Sequence, residues 1–313
     1  MSDIHNIDKQ LYTVQDLLDW SPPKNYRIIS GGVLNVKTRM LIFGDEGSWK
    51  SILALHTAHS IARGSRWLGF RTTKSNVFKL QAEMPMYMDR ERTEKYCIGS
   101  KEIFIARASP VPDTDEDDTI TDATLAYAYP TRVISRTERS IHIDDAFGFQ
   151  SLKDNIYSCI QHLPSASMVI ILDPLFKLFG KDLSSEVDLK PMLDNIDRLL
   201  EDTNSSIIIV HHTRKSVTDD KGRPVDLGSQ DATGSRALVR WVDTILRVDP
   251  IQSDETDTRV SLTFTKHRNS EGLLPRMLVH WDRGTLHPHI TSRIMPTDED
   301  MDIRGSFDLK TLE

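Results

Sequence analysis

The feature of this sequence that most restricts its fold is a set of four short, continuous apolar runs. They are Met40–Phe43, Val77–Leu80, Met168–Leu172 and Ser206–Val210. Strands that are buried on both faces of a parallel sheet have this pattern. Between the last two runs, apolar residues recur at the spacing of an amphipathic helix, namely Met192, Leu193, Ile196, Leu199 and Leu200. We therefore expect an α/β fold with a mostly parallel twisted sheet flanked by helices.

The pattern changes to alternation from residue 259 onward. Val260, Leu262 and Phe264 alternate with polar residues, and the run Met277–Trp281 follows. Alternation of this kind is typical of strands with one exposed face. We predict an antiparallel pair at one edge of the sheet.

The domain organisation predicted from composition is an N-terminal arm over 1–30, a core over 31–290 and a tail over 291–313. Ser21-Pro22-Pro23 ends any helix that begins near Val14 in the arm. The region 107–150 carries five acidic residues within Asp113–Asp118 and is interpreted as a surface insertion with a short strand over Ser140–Ile143. We expect the acidic tail to be disordered.

Composition excludes several classes of protein. The net charge of −7 argues against a surface that is basic throughout, although it permits a local basic loop. No apolar run approaches the ~18 residues of a membrane helix. Cys97 and Cys159 are too few for a disulfide framework and have no spacing typical of structural zinc. The first residues lack the features of a secretory signal, so we expect a cytoplasmic protein without membrane association.

A phosphate-binding loop is predicted between the first apolar run and a helical segment that begins near Ile52. Its residues are Gly44, Asp45, Glu46, Gly47, Ser48, Trp49, Lys50 and Ser51. Backbone N–H groups at the helix start would surround a phosphate of ATP, Lys50 would reach its oxygens, and the Ser51 hydroxyl would bind Mg²⁺. Trp49 occupies the position where the pattern has its second glycine. Its side chain must either point away from the phosphates or deform the loop.

Two carboxylates follow apolar runs and are candidates for catalysis and metal binding. Glu83 comes shortly after the second run and is positioned to activate the attacking water, although capping of the next helix explains it equally well. Asp173 ends the third run and is predicted to lie near Mg²⁺ and the Ser51 hydroxyl. Its alternative is an ordinary acidic residue at a strand end before Pro174.

His211 and His212 follow the fourth apolar run. Adjacent strand residues point to opposite faces, so the two cannot bind one metal together. One of them is a candidate donor to the γ-phosphate, and the other suits a structural role.

These motifs come in the order found in RecA-like ATPases and most resemble hexameric helicases of the plasmid RepA and replicative DnaB type. The segments that carry the resemblance, over roughly residues 30–285, are Gly44–Ser51, Leu80–Pro85, the strand ending at Asp173, His211–Lys215 and Thr265–Asn269. The resemblance implies that Glu83 is the general base and His212 the phosphate sensor. It also implies that Lys266 and Arg268 reach the ATP of a neighbouring subunit, to which they could project together from a strand end.

The same resemblance implies where single-stranded nucleic acid would bind. The loops that follow the third and fourth core strands line the central channel of such motors. Here these loops are Pro174–Val187 and Thr213–Gly234, and their basic residues are Lys177, Lys181, Arg214, Lys215, Lys221 and Arg223. Phe176 and Phe179 are candidates for stacking on bases, although burial is expected for at least one of them.

The function predicted from the sequence is an ATP-hydrolysing motor on single-stranded DNA, of the replicative helicase type, that assembles as a hexameric ring. A RecA-like recombination or loader ATPase without unwinding is one alternative. A DNA-binding module switched by nucleotide, in which Trp49 impairs hydrolysis, is the other.

Overall fold

A computed structural model describes residues 12–108, 132–137, 141–163, 167–212, 236–251 and 258–296. Its helices are α1 (Val14–Asp19), α2 (Lys50–Arg63), α3 (Met86–Ala108), α4 (Ala146–His162), α5 (Leu175–Leu178), α6 (Glu186–Thr203) and α7 (Arg236–Trp241). Its strands are β1 (Arg27–Ile29), β2 (Leu34–Asn35), β3 (Arg39–Gly44), β4 (Asn76–Gln81), β5 (Val133–Thr137), β6 (Met168–Asp173), β7 (Ser205–His212), β8 (Thr244–Pro250), β9 (Arg259–His267), β10 (Arg276–Trp281) and β11 (Pro288–Ile294).

Nine of the described strands form one sheet in the order β11-β10-β9-β8-β3-β7-β6-β4-β5. The strands from β8 to β5 are parallel to their neighbours. The strands from β8 to β11 pair antiparallel. The four predicted apolar runs are β3, β4, β6 and β7, at the centre of the sheet. The predicted fold class and the antiparallel extension near the C-terminus are therefore confirmed.

The central strands are apolar throughout because both of their faces are buried. Met40 and Ile42 of β3 belong to a cluster that includes α2, whereas Leu41 and Phe43 belong to a second cluster that includes α4 and α6. All four side chains are completely buried. Each contributes about 1.5–3 kcal/mol through removal from water, so the central sheet supplies much of the stability.

Helix α6 confirms the amphipathic helix predicted between the third and fourth apolar runs. Its apolar stripe is fully buried against the sheet, and consists of Leu189, Met192, Leu193, Ile196, Leu199 and Leu200. Ser185 caps the first turn by accepting a hydrogen bond from the Asp188 N–H at 3.3 Å. Asn204 ends the helix in the left-handed conformation, with φ 50°.

The region 107–150 differs from the predicted surface insertion. Val133–Thr137 form β5, an edge strand parallel to β4, and α4 begins at Ala146. Residues 141–143 form a loop rather than part of a strand. Ile141 and Ile143 are buried in this loop and imitate the alternation of a strand. The actual edge strand is half exposed and carries polar residues, so its sequence gives a weak signal.

Both ends of the core also differ from the predicted boundaries. β1 lies within the predicted arm, pairs with β2, and places Ile28 and Ile29 in the buried core. β11 crosses position 290, so residues 291–294 extend the sheet. Residues 297–313 lie outside the described part. No helix among the described residues is both long enough and apolar enough to cross a membrane.

Candidate nucleotide site

The predicted phosphate loop connects the end of β3 to the start of α2. A Cβ at Gly44 would lie 2.1 Å from the carbonyl oxygen of Val248, so this position requires glycine. Gly47 has φ +77°, which favours glycine as well. Lys50 is the first residue of α2. The loop therefore precedes a helix N-terminus, where free N–H groups favour a bound anion.

Lys50 is buried inside the loop. Its Nζ donates hydrogen bonds to the Ser48 Oγ at 3.1 Å and to the Asp45 carbonyl. Burial lowers the pKa of Lys50 to about 8, and the nearby carboxylates, Asp173 first, oppose this shift. A buried ammonium held in this way is suited to an anionic partner, so the loop fits a triphosphate.

Trp49 does not block the loop. Its backbone has φ 67°, the left-handed conformation that the usual glycine would adopt. Its indole stacks in parallel on Trp281, with ring centroids 6.1 Å apart and an angle of 4° between the planes. Of the two alternatives raised by the sequence, the side chain that turns away is the one observed. The aromatic contact helps to offset the cost of a left-handed residue other than glycine.

A chain of hydrogen bonds connects the start of α2 to the ends of β4 and β6. The Ser51 Oγ donates to the Asp173 Oδ1 at 3.1 Å, and the Gln81 Nε2 donates to the Asp173 Oδ2 at 3.3 Å. The Gln81 Oε1 in turn accepts from the Glu83 N–H at 2.8 Å. Gln81 thus links the two candidate carboxylates. Sequence analysis quoted Gln81 but gave it no role, and the signal is its place beside Asp173 in the register of β4 and β6.

Asp173 is almost completely buried, and it is the described carboxylate best placed for Mg²⁺ together with Ser51. Burial raises the pKa of Asp173 to about 6, while the Lys79 ammonium and the Ser51 hydrogen bond oppose the rise. Lys79 itself forms a buried ion pair with Asp89 at 2.6 Å. Hydroxyl and carboxylate oxygens are the ligands that Mg²⁺ prefers, so this donor pair fits the ion.

A cavity of about 810 Å³ opens in front of the phosphate loop. Glu83, Asp173 and His212 line it together with the loop. His212 is half-buried, and burial lowers its pKa. Its ring meets Phe176 edge-on, with centroids 5.0 Å apart. His211 is buried instead, which agrees with a structural role for the first histidine of the pair.

Helix α3 contributes cavity residues that sequence analysis missed. Glu91, Arg92 and Lys95 line the same cavity. Their signal in the sequence is that Lys95 follows the other two at distances of four and three residues, which places them on one face of a helix starting soon after Glu83. Two of the three are cations, so α3 adds positive charge to a site that suits phosphate.

Lys266 and Arg268 lie away from this cavity. Thr244 pairs with His267, so the end of β9 lies beside the start of β8, at the end of the sheet opposite the phosphate loop. The Lys266 Nζ donates to the Val239 carbonyl at 2.6 Å and also to the carbonyls of Arg240 and Val242. Arg268 donates to the Arg240 carbonyl at 2.8 Å. The two cations therefore share one location, at the C-terminus of α7.

The candidate nucleic-acid residues are only partly described. Lys177 and Lys181 follow β6, and the Lys177 Nζ lies 5.1 Å from the centre of the Phe176 ring. Phe176 is partly exposed, whereas Phe179 is buried. Arg214, Lys215, Lys221 and Arg223 lie outside the described residues.

Comparisons with known proteins agree with this architecture. A helicase ATPase domain, solved as an isolated domain, is 14% identical and has a TM-score of 0.57, over 85% of this chain and 92% of that chain. A DnaB-like replicative helicase, solved in a study of its interactions with primase, is 14% identical and has a TM-score of 0.59, over 89% of this chain and 67% of that chain. Likeness at this identity shows the fold, which is that of RecA-like helicase domains.

The family assignment comes from the sequence. No match was found among curated proteins. The family model described as AAA domain matches residues 8–217, more than half of the chain, and includes the phosphate loop, Glu83 and Asp173. The chain therefore belongs to the AAA domain family, and its fold is that of the RecA-like ATPase domains of DnaB-type helicases.

Proposed function

We propose that this protein is an ATP-hydrolysing motor that acts on single-stranded DNA as a hexameric ring, in the manner of a replicative helicase. One observation carries the proposal. The hydrogen-bonded chain from Ser51 through Asp173 and Gln81 to Glu83 borders a cavity that also contains Lys50 and His212. A phosphate ligand, a metal position, a candidate base and a candidate sensor thus converge on one space of sufficient size for a nucleotide.

Each residue has a role that follows from its position. Lys50 binds the phosphate oxygens, and Ser51 with Asp173 holds Mg²⁺, which when bound neutralises phosphate charge. Glu83 is exposed at the cavity wall and accepts a proton from the attacking water. His212 remains largely neutral at pH 7 because burial lowers its pKa, so it can donate one N–H to the γ-phosphate.

The position of Lys266 and Arg268 supports self-association. They lie at the opposite end of the sheet from the phosphate loop, so they can act on phosphate only in a neighbouring copy. An arginine supplied in trans accelerates phosphoryl transfer by ~10³–10⁵ in other enzymes. Helix α1 also buries none of its own residues and exposes Leu17 and Leu18, which suits packing against a second subunit.

The nucleic-acid role is supported by the loop after β6. Lys177 and the partly exposed Phe176 combine a cation with an aromatic ring beside His212, so this loop joins the nucleotide cavity to a surface suited to phosphate and base contacts. Six copies of a weakly binding loop would act together on one strand.

The decisive assay is phosphate release as a function of single-stranded DNA concentration. We expect stimulation of the parent protein. Glu83→Gln should bind ATP but release no phosphate. Glu94→Gln, a matched change at an exposed position of α3 outside the cavity, should behave as the parent does. Turnover by Glu83→Gln equal to that of the parent would refute the assignment of the base.

Ring assembly is tested by mixing inactive variants. Arg268→Ala and Lys50→Ala should each lose turnover, and a mixture should recover part of it because some interfaces then contain two intact halves. Arg71→Ala, an exposed arginine remote from both residues in the sequence, is the control and should remain active alone. No recovery, together with a monomeric mass in the presence of a non-hydrolysable nucleotide, would rule out action in trans.

Unwinding is a separate question from hydrolysis. Strand displacement on a forked duplex distinguishes a helicase from a loader or recombination ATPase. Hydrolysis without displacement would favour these alternatives.

A further inference from the structure

A second cavity of about 710 Å³ lies between the C-terminal half of α2, the middle of α3 and the turn between β10 and β11. It shares no lining residue with the nucleotide cavity. The two are adjacent, since Lys95 and Leu286 line the first and the residues that follow them in sequence, Tyr96 and His287, line the second. Its volume lies within the range of small-molecule sites.

The lining of this cavity is basic and polar. It comprises His56, Ser60, Arg63, Gly64, Ser65, Arg66, Leu68, Gly69, Tyr96, Ser100, His287, Pro288, His289 and Ile290. No aspartate or glutamate stands among the described lining residues, in a chain whose net charge is −7. Asp282, whose charge influences His287, accepts hydrogen bonds from Thr285 and is not in the lining.

Two guanidinium groups provide the positive charge. Arg66 is exposed at the rim, and its Nη1 donates to the Gly69 carbonyl at 2.9 Å. Arg63 is half-buried, lies 5.6 Å from the centre of the Tyr96 ring, and contacts the His59 Nδ1 at 3.2 Å. The ring contact and the two hydrogen bonds restrain the arginines near the cavity, which lowers the entropy lost when an anion binds.

The floor is made of buried polar side chains. His56 is 8% exposed, and its Nδ1 lies 2.7 Å from the Tyr96 hydroxyl. Its Nε2 has no hydrogen-bond partner among the described residues. The His287 Nε2 lies 3.1 Å from the Ser100 Oγ. An unpaired buried nitrogen beside a basic cavity is costly unless a ligand or water supplies its partner.

Burial lowers the pKa of His56 to about 3 and that of His287 to about 4. Both rings are therefore neutral at pH 7, so the positive charge of the cavity comes from the arginines. An anion bound nearby would favour the protonated rings and raise both pKa values.

From this cavity we infer a second ligand site on the protein, which binds a small phosphate-bearing anion of nucleotide size. Two arginines match the charge and geometry of phosphate oxygens. Serine hydroxyls and neutral histidines supply further hydrogen bonds, and the absence of carboxylates in the described lining removes the main source of repulsion.

The test is calorimetric titration with pyrophosphate and, separately, with ADP, on full-length Lys50→Ala protein, in which the phosphate loop has lost its cation. We expect binding of at least one of these two small anions with one site per chain. Adding Arg66→Glu should weaken this binding by roughly tenfold or more, because it replaces a charge-assisted contact with repulsion. Adding Arg71→Glu should leave it unchanged, because this exposed arginine in the same connecting segment does not line the cavity.

Arg66 is exposed, so its variant is expected to fold, and thermal unfolding of both charge variants checks this. Arg63→Gln is a second variant and should also weaken binding. Absence of binding of either small anion to the Lys50→Ala protein would overturn the inference. Equal weakening by Arg66→Glu and Arg71→Glu would overturn it as well, because the effect would then reflect net charge. A response to a single-stranded oligonucleotide, but not to pyrophosphate or ADP, would replace the small anion with a nucleic-acid contact.

Discussion

Asp173 carries a buried charge that should destabilise the protein in the absence of nucleotide. The residue is 1% exposed, and burial raises its pKa from 3.8 to about 6. The folded chain therefore holds this proton more tightly than the unfolded chain does. The corresponding stability is fully present below the unfolded pKa of 3.8 and is lost as the pH rises through about 6. The difference between the two pKa values corresponds to ~3 kcal/mol.

Asp173→Asn removes the charge and keeps the shape of the side chain. We expect the free energy of unfolding at pH 8 to rise by ~1–3 kcal/mol relative to the parent. The lower figure applies because the amide group cannot accept hydrogen bonds from both Ser51 and Gln81. The gain should shrink as the pH falls through 6 and nearly vanish near pH 4. Urea unfolding followed by circular dichroism, without nucleotide and Mg²⁺, measures this difference at each pH.

Two further variants define the expected signs. Asp194→Asn removes an exposed partner of Lys190 and should change stability by less than ~1 kcal/mol. Asp89→Asn leaves Lys79 buried without its counter-charge and should destabilise by ~3 kcal/mol or more. A loss of stability in Asp173→Asn at pH 8, or a difference from the parent that does not vary with pH, would refute the reasoning about a buried, unfavourable charge.

Three other substitutions test the geometry of the site. Gly44→Ala would place a methyl group 2.1 Å from the Val248 carbonyl oxygen, so calorimetry should show a melting temperature lower by roughly 5 °C or more; an unchanged value would contradict the tight approach. Trp49→Gly loses the stack on Trp281 and should melt at lower temperature, yet bind nucleotide within about threefold of the parent in a titration, because the indole already points away from the loop. A much weaker affinity would mean that the ring contacts nucleotide. Gln81→Leu should reduce kcat by ~10–100-fold in steady-state assays with little change in nucleotide affinity, since it orients both carboxylates. Unaltered turnover would make Gln81 a structural residue only.

The centre of the fold was predictable because local pattern and burial coincide there. β3 and β7 are buried on both faces, so their sequences are apolar without interruption. The phosphate loop was equally visible, since its function depends on residues close together in the sequence. Edge strands such as β5 and β11 face solvent in part, and their polar residues hide them.

The contacts between distant segments were not predictable. The role of Gln81 depends on its register beside Asp173 in the neighbouring strand. The orientation of Trp49 depends on Trp281, which lies in a strand at the other end of the chain. Spacing in one sequence carries no information about such pairs, so the alternative conformations of Trp49 could be stated but not resolved.

The Trp49–Trp281 stack has a mechanical consequence. Trp281 ends β10, and β10 pairs with β9, the strand that leads to Lys266 and Arg268. A sliding or twisting of these antiparallel strands relative to the parallel ones must either separate the two indoles or drag the loop before α2 along. The two indoles thus act as a linkage through which force at one border of the sheet reaches the turn that holds Lys50.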